Sequence, residues 1–403
     1  MASRRKKLSI VLIAAGIFLV TIVWQINRQP QGRFRIPTGN VIPTISFGWS
    51  HGLILASDGS LWTWGENGLG WPTLGLGKIS EQPVLCRIDN ATNWIGASAG
   101  HDHNLAVKSD GSLWAWGANY RQQLGDGTKT KRAIPVRSCA GNDWRQGIAG
   151  NVCSFALKTN GTLWAWGLNN FCQLGNGSFK DAPTAVQIGT ATNWIKIVAG
   201  GVNTAGIQSD GSLWVWGANL SVGNTTPLNT NNLLIPTLLS NETNWVDAVV
   251  DYNIGFSVKS DGTLWAWGTD AKIFIKTNYD PTIPTRVGSD NDWQACTGGG
   301  CGRHYFLFTK KDRSIWEADG SGTLGKVPLS KTLVALGGGR GKIGAALTGD
   351  GAVWTWGRIF GVHQSLDRAT VFLSKFSPRF TPYFENYENK ETPWLLRNVD
   401  SPR

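Results

Sequence analysis

The chain has 403 residues, 41% of them hydrophobic and 16% charged, and a formal net charge of +11. Seven basic residues and no acidic residue lie in the first 35 positions, so only 11 − 7 = +4 remains for the rest. A nucleic-acid-binding domain concentrates its basic residues in a stripe, whereas these later charges are interspersed. We therefore expect a solvated mixed surface and no nucleic-acid partner.

The six cysteines contain no Cys-x-x-Cys pair, which argues against a zinc site. Buried free thiols are the general expectation. Cys296 and Cys301 are close enough in sequence to bridge in an oxidising compartment, and the sequence leaves that question open.

The N-terminus has the pattern of a membrane anchor. A basic tail at residues 1–7 precedes an apolar segment at residues 8–26, whose first 17 residues carry no charge. A helix of 17 residues rises about 26 Å, close to the ~30 Å hydrocarbon core of a bilayer. The segment lacks the small-x-small cleavage site of a signal peptide, so we expect an uncleaved transmembrane helix. The basic tail predicts a cytoplasmic N-terminus, followed by a tether at residues 27–41 and a periplasmic or extracellular remainder.

From residue 42 onward one phrase dominates the sequence, and it is clearest from Ser109 to Gly117 (SDGSLWAWG). Its first tryptophans fall at positions 62, 114, 164, 214, 265, 316 and 354, with steps of 52, 50, 50, 51, 51 and 38 residues. Self-similarity at a fixed period of this size indicates a repeat architecture.

The phrase itself predicts the structure of each unit. An Asp-Gly pair such as Asp110-Gly111 predicts a hairpin with a type I′ turn, and a proline such as Pro135 marks the first residue of the next strand. Both faces of the strand at residues 113–116 are apolar, so the sheet must be covered on both sides. The sequence therefore predicts an all-β fold, a seven-bladed β-propeller of four-stranded antiparallel blades at residues 42–403, preceded by one N-terminal transmembrane helix.

Several of these residues carry a family resemblance. Gly100-x-x-His103, Trp116-Gly117 and the QLGDG run at residues 123–127 resemble the regulator-of-chromosome-condensation repeat, and QLGNG at residues 173–177 matches it again. The resemblance covers roughly residues 42–397 and includes the bacterial alpha-tubulin-suppressor-like type. It implies a seven-bladed propeller without a catalytic centre of its own, generally a protein-binding platform. Units four to seven lose most of the QLG phrase, and unit six has Arg313 where other units have a turn glycine.

No catalytic constellation stands out from the repeat. Gly339 to Gly344 (GRGKIG) satisfies G-x-G-x-x-G, but it occupies the place that Gly100 to Asn104 holds in its own unit, so the repeat explains the glycines. His51 and His103 share one position, which other units fill with cysteine or asparagine. This favours a structural hydrogen bond over a metal ligand. We therefore expect no enzyme, no catalytic residue, no cofactor and no metal.

The seventh unit contains the largest departure in loop length. From the end of the phrase to the next strand's proline, units one to six take 18, 18, 16, 19, 16 and 9 residues, whereas unit seven takes 36. The insertion at residues 358–392 is rich in aromatic residues and would either plug the propeller axis or form a partner-binding surface, which aromatic residues of the equivalent loops could join. The predicted partner-binding residues are Trp71, Tyr120, Phe171, Phe360, Phe372, Phe376, Phe380, Tyr383, Phe384 and Tyr387.

These observations predict a membrane-anchored, extracytoplasmic propeller that acts as a protein-binding platform for a protein partner of unknown identity. One alternative is a secreted propeller that inhibits an enzyme, like the β-lactamase-inhibiting member of the family. Cleavage after the apolar segment would favour that alternative. A less favoured alternative is guanine-nucleotide exchange on a small GTPase, the family's founding activity, which requires a cytosolic propeller.

Overall fold

A computed structural model of the chain describes residues 39–67, 70–77, 82–219, 231–275, 278–298, 305–318, 322–329, 331–339 and 343–356. The predicted basic tail, membrane helix and most of the tether, together with the aromatic insertion at 358–392, lie outside these residues. Within the described ranges, no helix is both long and apolar enough to cross a membrane.

The described strands form seven antiparallel sheets, and each sheet takes its strands in chain order. Blade 1 contains β1 (Thr44–Phe47), β2 (His51–Leu55), β3 (Leu61–Gly65) and β4 (Gln82–Arg87). Blade 2 contains β5 (Trp94–Ala99), β6 (His103–Lys108), β7 (Leu113–Gly117) and β8 (Arg132–Arg137). Blade 3 contains β9 (Trp144–Ala149), β10 (Cys153–Lys158), β11 (Leu163–Gly167) and β12 (Ala182–Gln187). Blade 4 contains β13 (Trp194–Ala199), β14 (Asn203–Gln208), β15 (Leu213–Gly217) and β16 (Leu233–Leu238).

The second half of the chain continues the same order. Blade 5 contains β17 (Trp245–Asp251), β18 (Ile254–Lys259), β19 (Leu264–Trp267) and β20 (Thr285–Arg286), with a short 3₁₀ helix, Thr269–Ile273, before the last strand. Blade 6 contains β21 (Trp293–Gly298), β22 (Phe306–Lys310), β23 (Ile315–Ala318) and β24 (Leu324–Val327). Blade 7 contributes three strands within the described residues, β25 (Leu333–Gly339), β26 (Ile343–Thr348) and β27 (Val353–Trp356).

The blades close into a ring. The first strand of every blade contacts the first strands of the two neighbouring blades, and β25 of blade 7 contacts β1 of blade 1. The first strands therefore surround the axis. Blades 1 and 7 share a core in which Ile45 and Trp64 pack with Ala345 and Leu347. The predicted seven-bladed propeller is confirmed.

The hairpin turns differ from the predicted type. In blade 2 the amide of Gly111 donates to the Lys108 carbonyl (2.9 Å), and Lys108 N donates to the Ser112 carbonyl (3.0 Å). Gly111 has φ +76°, whereas Asp110 keeps a negative φ. The type I′ prediction was wrong: the loop is a three-residue turn that ends in a positive-φ glycine. The physical reason is that Oδ1 of Asp110 accepts a bond from Ser112 N (2.9 Å), which holds the aspartate in its own turn.

The prolines also lie elsewhere than predicted. Pro135 is the fourth residue of β8, and Pro83 and Pro183 are the second residues of β4 and β12, so none begins its strand. The fourth strand is the outer edge of each blade and pairs only with the third strand. A proline is tolerated there because a missing N–H on the open side breaks no ladder bond. Pro135 also lies where the register of β8 against β7 shifts.

The second tryptophan of the phrase joins one blade to the next. Trp116, Trp166 and Trp216 are buried, and each indole Nε1 donates to a carbonyl in the loop of the preceding blade. Those bonds reach Thr73 (3.0 Å), Gln123 (2.9 Å) and Gln173 (2.9 Å). The first tryptophan instead donates within its own turn, as Trp164 does to Thr162 Oγ1 (3.0 Å), and stays half-buried. The first tryptophan is therefore less covered than the apolar pattern predicts.

The shared histidine position has the structural role that the sequence predicts. Ser154 Oγ donates to the Gln123 carbonyl (2.6 Å), so it accepts a bond from Nε2–H of His103 (2.8 Å). His51 makes the equivalent bond to Asn104 Oδ1 of blade 2 (2.7 Å). Both rings are buried, and burial lowers the pKa of His51 and lowers that of His103 to about 3. Both histidines are therefore neutral links between blades.

Candidate functional site

One face of the ring carries two kinds of connection. Within blade 2 the last residue of the third strand, Gly117, pairs with the first residue of the second strand, His103, and the same pairing recurs in blades 1 and 3. The turn between the first and second strands and the loop between the third and fourth strands therefore lie on the same side. We call this side the loop face. The Asp-Gly hairpin turns lie on the opposite side.

Two of the predicted partner-binding residues meet on the loop face. The rings of Trp71 from blade 1 and Tyr120 from blade 2 lie 5.2 Å apart between centroids, at an interplanar angle of 32°. Nζ of Lys131 lies 5.6 Å from the centroid of the Trp71 ring and donates to the Gly70 carbonyl (3.3 Å). Both rings are half-buried and Lys131 is exposed, so the pair presents aromatic edges beside a cation.

A second pair of rings lies in the turns between the first and second strands. The ring centroids of Trp49 in blade 1 and His101 in blade 2 are 4.1 Å apart, and Trp49 N donates to the His101 carbonyl (3.0 Å). Nδ1 of His101 lies 2.6 Å from Oδ2 of Asp102. This contact fixes the imidazole against the indole.

Asp102 joins the two pairs electrostatically. Its side chain is buried, the residue being 4% exposed, and its Oδ1 has no hydrogen-bond partner among the described residues. Burial, and secondly the field of Asp102, raise the pKa of Tyr120 to about 12. Tyr120 is therefore a neutral hydroxyl at physiological pH. We call Trp49, Trp71, His101, Asp102, Tyr120 and Lys131 the aromatic cluster.

Phe171 lies apart from this cluster. It stands two residues before Gln173, as Trp71 stands two residues before Thr73, so both occupy the same loop position in different blades. Its amide donates to Gln173 Oε1 (2.9 Å), and its half-buried ring makes no ring contact with Trp71 or Tyr120, all three being described. The other predicted residues, Phe360, Phe372, Phe376, Phe380, Tyr383, Phe384 and Tyr387, lie outside the described residues.

The sequence prediction missed four members of the cluster: Trp49, His101, Asp102 and Lys131. A signal was present at one turn position. The residue after the turn glycine is Trp49 in blade 1 and His101 in blade 2, but asparagine in blade 3 and glycine in blade 4. A position that the repeat does not keep constant, on the same turn in every unit, is free to carry function.

The described residues contain no group of three or more His, Cys, Asp or Glu side chains that could hold a metal ion. Cys153 and Cys296 are buried free thiols whose pKa is raised by burial, so they stay protonated. The glycine-rich run at residues 339–344 connects β25 to β26, as its place in the repeat predicts. Residues 340–342 and Cys301 lie outside the described ranges.

Comparison with known proteins agrees with the repeat. The family model "Regulator of chromosome condensation (RCC1) repeat" matches residues 58–107, 110–157 and 160–207, and a second model of the same repeat matches residues 44–70 and 95–123. Among curated proteins, the Ultraviolet-B receptor UVR8 of Arabidopsis thaliana is 36% identical over 100 residues, 24% of this chain and 22% of the relative. The Protein RCC2 homolog of Xenopus laevis is 35% identical over 107 residues, 26% of this chain and 20% of the relative. These matches span about a fifth of each relative's length.

Solved structures show the same architecture. Human WBSCR16 superposes with a TM-score of 0.62 at 15% identity, covering 76% of this chain and 86% of the other. Prp20p of Saccharomyces cerevisiae superposes with a TM-score of 0.60 at 16% identity, covering 73% of this chain and 80% of the other. At this identity the similarity concerns the fold alone. The chain therefore carries regulator-of-chromosome-condensation repeats, matched between residues 44 and 207, within a closed ring of seven blades.

Proposed function

We propose that this propeller binds another protein through the aromatic cluster on the loop face of blades 1 and 2. The observation that carries the proposal is that two pairs of rings, Trp49–His101 and Trp71–Tyr120, join blade 1 to blade 2 at positions that vary between the repeat units. Tryptophan and tyrosine dominate the energetics of protein interfaces because they bury large areas at small entropic cost. A rigid ring of blades holds these side chains in place before a partner arrives, which lowers the entropic cost of binding.

The matched repeats support the same reading. Propellers of this family are regulators and binding proteins rather than classical enzymes, and the Prp20p structure was described together with its binding to Gsp1p and histones. That statement concerns Prp20p. For this chain we propose only a protein partner, recognised by the aromatic cluster.

A site-specific crosslink tests the location of the surface. Arg121 is exposed next to Tyr120, and Ile235 is 58% exposed on the outer strand of blade 4. A photoreactive amino acid at position 121 should capture a defined partner in cells, whereas the same group at position 235 should not. Equal capture from both positions would place the binding surface elsewhere.

Substitutions then test the residues. Trp71→Ala should reduce capture from position 121 at least tenfold, because it removes one of the two stacked rings. Phe171→Ala is the matched control: it removes a half-buried ring from the same loop position in blade 3, outside the cluster. If Phe171→Ala reduces capture as strongly as Trp71→Ala, the surface extends over three blades and the proposed boundary is wrong.

The insertion at residues 358–392 is a second candidate surface that the sequence predicts. A pull-down with the full chain and with a chain lacking these residues measures its contribution. If the deletion abolishes partner binding, and Trp71→Ala in the full chain weakens it as well, both surfaces belong to one interface. Unchanged partners would remove the insertion from the interface.

We further propose that residues 8–26 anchor the chain in a membrane and that the propeller is extracytoplasmic. The uncharged segment and the basic residues before it support this topology. A reporter enzyme that works only outside the cytoplasm should be active when it is fused after Arg403. N-terminal sequencing should find residue 1 or 2 at the start of the mature chain rather than a cleaved end. A cytoplasmic reporter would contradict the topology and favour nucleotide exchange, whereas cleavage after the apolar segment would favour a secreted inhibitor.

A further inference from the structure

A cleft of about 400 Å³ opens between blades 6 and 7, away from the aromatic cluster. Its walls are the first two strands of blade 6, β21 and β22, and the first strand of blade 7, β25. Arg313, in the hairpin turn between β22 and β23, lies at one end. Pockets that bind small molecules in proteins typically enclose about 300–1,000 Å³, so the cleft has room for a ligand.

The cleft coincides with a change in the repeat. In blades 2 to 6 the first residue of the first strand is a buried tryptophan; these are Trp94, Trp144, Trp194, Trp245 and Trp293. Each ring contacts the third-strand tryptophan of its own blade and shares a core cluster with second- and third-strand residues of the preceding blade. Blade 7 has Leu333 at this position. The register proves the equivalence, because Leu333 pairs with Thr348 before a one-residue shift, as Trp293 pairs with Lys310 before the same shift. Leu333 is half-buried, whereas all five tryptophans are buried.

A second change meets the first at the same boundary. In the other hairpins, the glycine of the turn lies against the chain that enters the next blade: a Cβ on Gly262 would come within 2.1 Å of the Asn291 carbonyl. The carbonyl of that glycine accepts a bond from the next tryptophan, as Gly262 does from Trp293 N (2.9 Å). Blade 6 has Arg313 there, at φ +64°, and no bond joins Leu333 N to Arg313 O, although both are described. The boundary between blades 6 and 7 therefore lacks both the indole and the backbone bond that close the five boundaries from blade 1 to blade 6.

The lining defines the chemistry of a ligand. The half-buried Leu333 and Leu336 provide apolar walls, and Thr297 and Thr309 add hydroxyl groups. Arg313 is exposed, forms no ion pair with another described residue and carries the only guanidinium among the lining residues. A guanidinium prefers a carboxylate, which it binds through two parallel hydrogen bonds.

We propose that the cleft between blades 6 and 7 binds a small planar aromatic molecule of indole size that carries a carboxylate. The ring occupies the position that a tryptophan side chain fills between the other blades, and the carboxylate reaches Arg313. The site is separate from the loop face, because Leu333 begins its strand at the opposite end from the turn between β25 and β26. It does not depend on the protein partner proposed above.

Ligand-observed NMR with the full chain tests the proposal, using indole-3-acetate as the probe because the 22 tryptophans of the chain obscure fluorescence changes. We expect saturation transfer to the indole ring protons and a dissociation constant of roughly 0.1–1 mM, as for a ligand of this size. N-acetyltryptophanamide, which has the ring without the charge, should bind at least tenfold more weakly. Absence of transfer at ~10 mM probe would overturn the proposal, given that range, and equal binding of the two probes would overturn the role of Arg313.

Three variants locate the binding. Leu333→Trp restores the missing indole, so it should abolish transfer to the probe while raising the midpoint of thermal unfolding. Arg313→Gly restores the turn glycine and should weaken indole-3-acetate at least tenfold. The control Val246→Trp adds an indole one position after Trp245, on an exposed site of an already closed boundary, and should leave binding unchanged. If Leu333→Trp unfolds in a cooperative thermal transition, and so is folded, but still binds the probe, the probe binds elsewhere.

Discussion

His103 makes the stability of the propeller depend on pH in a predictable direction. Its ring is fully buried between blades 2 and 3, and its pKa is lowered to about 3 because burial disfavours the charged form. In the unfolded chain the same ring titrates near its ordinary value of about 6.5. Below that pH the unfolded state binds a proton that the folded state does not, so the free energy of unfolding falls as the pH falls towards 3.

The magnitude follows from the two pKa values. A difference in bound protons of one changes the free energy of unfolding by about 1.4 kcal/mol per pH unit. Between pH 7.5 and 5.0, integration over the titration of the unfolded ring gives a loss of about 2 kcal/mol from His103 alone. His51, whose pKa is also lowered by burial, adds a loss of the same sign. Asp102, which faces both rings, opposes it by favouring the imidazolium form.

The test substitutes His103→Asn, because asparagine fills the same position in blade 4. Urea unfolding of the full chain at pH 7.5 and 5.0 should show that the variant loses about 2 kcal/mol less than the unsubstituted chain over this interval. Its absolute stability at pH 7.5 does not enter the comparison. Ser154→Ala is the control: it removes the hydrogen-bond partner but leaves the buried ring, so it should lower stability at both pH values and keep the pH dependence. An equal loss in His103→Asn and in the unsubstituted chain would refute the argument.

Three further predictions concern the packing of single positions, and each is tested by urea unfolding at pH 7.5. Trp166→Phe should lower the free energy of unfolding by about 3 kcal/mol, because it removes a buried indole and its hydrogen bond to the preceding blade. Trp164→Phe should lower it by only about 1 kcal/mol, because that half-buried indole bonds only within its own turn. Equal costs would contradict the role of the bond between blades. Gly111→Ala should cost more than about 3 kcal/mol, since a Cβ there lies 1.9 Å from a backbone carbonyl, but Gly127→Ala, at φ +75° with open space, only about 1 kcal/mol. Lys259→Met should cost about 2 kcal/mol, because the buried ammonium lies 4.6 and 3.6 Å from two indole centroids and 2.7 Å from Glu242 Oε2. No change would show that desolvation of the ammonium cancels these attractions.

The repeat made the fold predictable. Seven copies of one apolar phrase demand a structure in which each sheet is covered by identical neighbours, and a closed ring meets that demand. The local details were harder, because an Asp-Gly pair fits more than one hairpin loop. The bond from Asp110 to Ser112, which a type I′ turn does not need, selected the three-residue loop. Similarly, a proline predicted at the start of a strand lies within it, since the open edge of the outer strand accepts it.

The candidate site was only partly predictable. Trp71 and Tyr120 could be selected as aromatic residues in variable loops, but nothing in the sequence shows that they stack. Trp49 and His101 meet across 52 residues of chain, and that meeting depends on the angle between two blades. The cleft shows the same limit: the loss of Trp at position 333 and of Gly at position 313 can be read separately, yet only the assembled ring brings both to one boundary.

The sequence by itself determined what most units have in common: four short strands, a turn glycine and a buried tryptophan. These features recur because each unit must solve the same packing problem, and periodicity records that solution. Only the tertiary structure decided which of the differences between units come together in space. Side chains from adjacent blades meet at distances set by blade packing, so the aromatic cluster and the cleft between blades 6 and 7 are properties of the closed ring and of no single repeat.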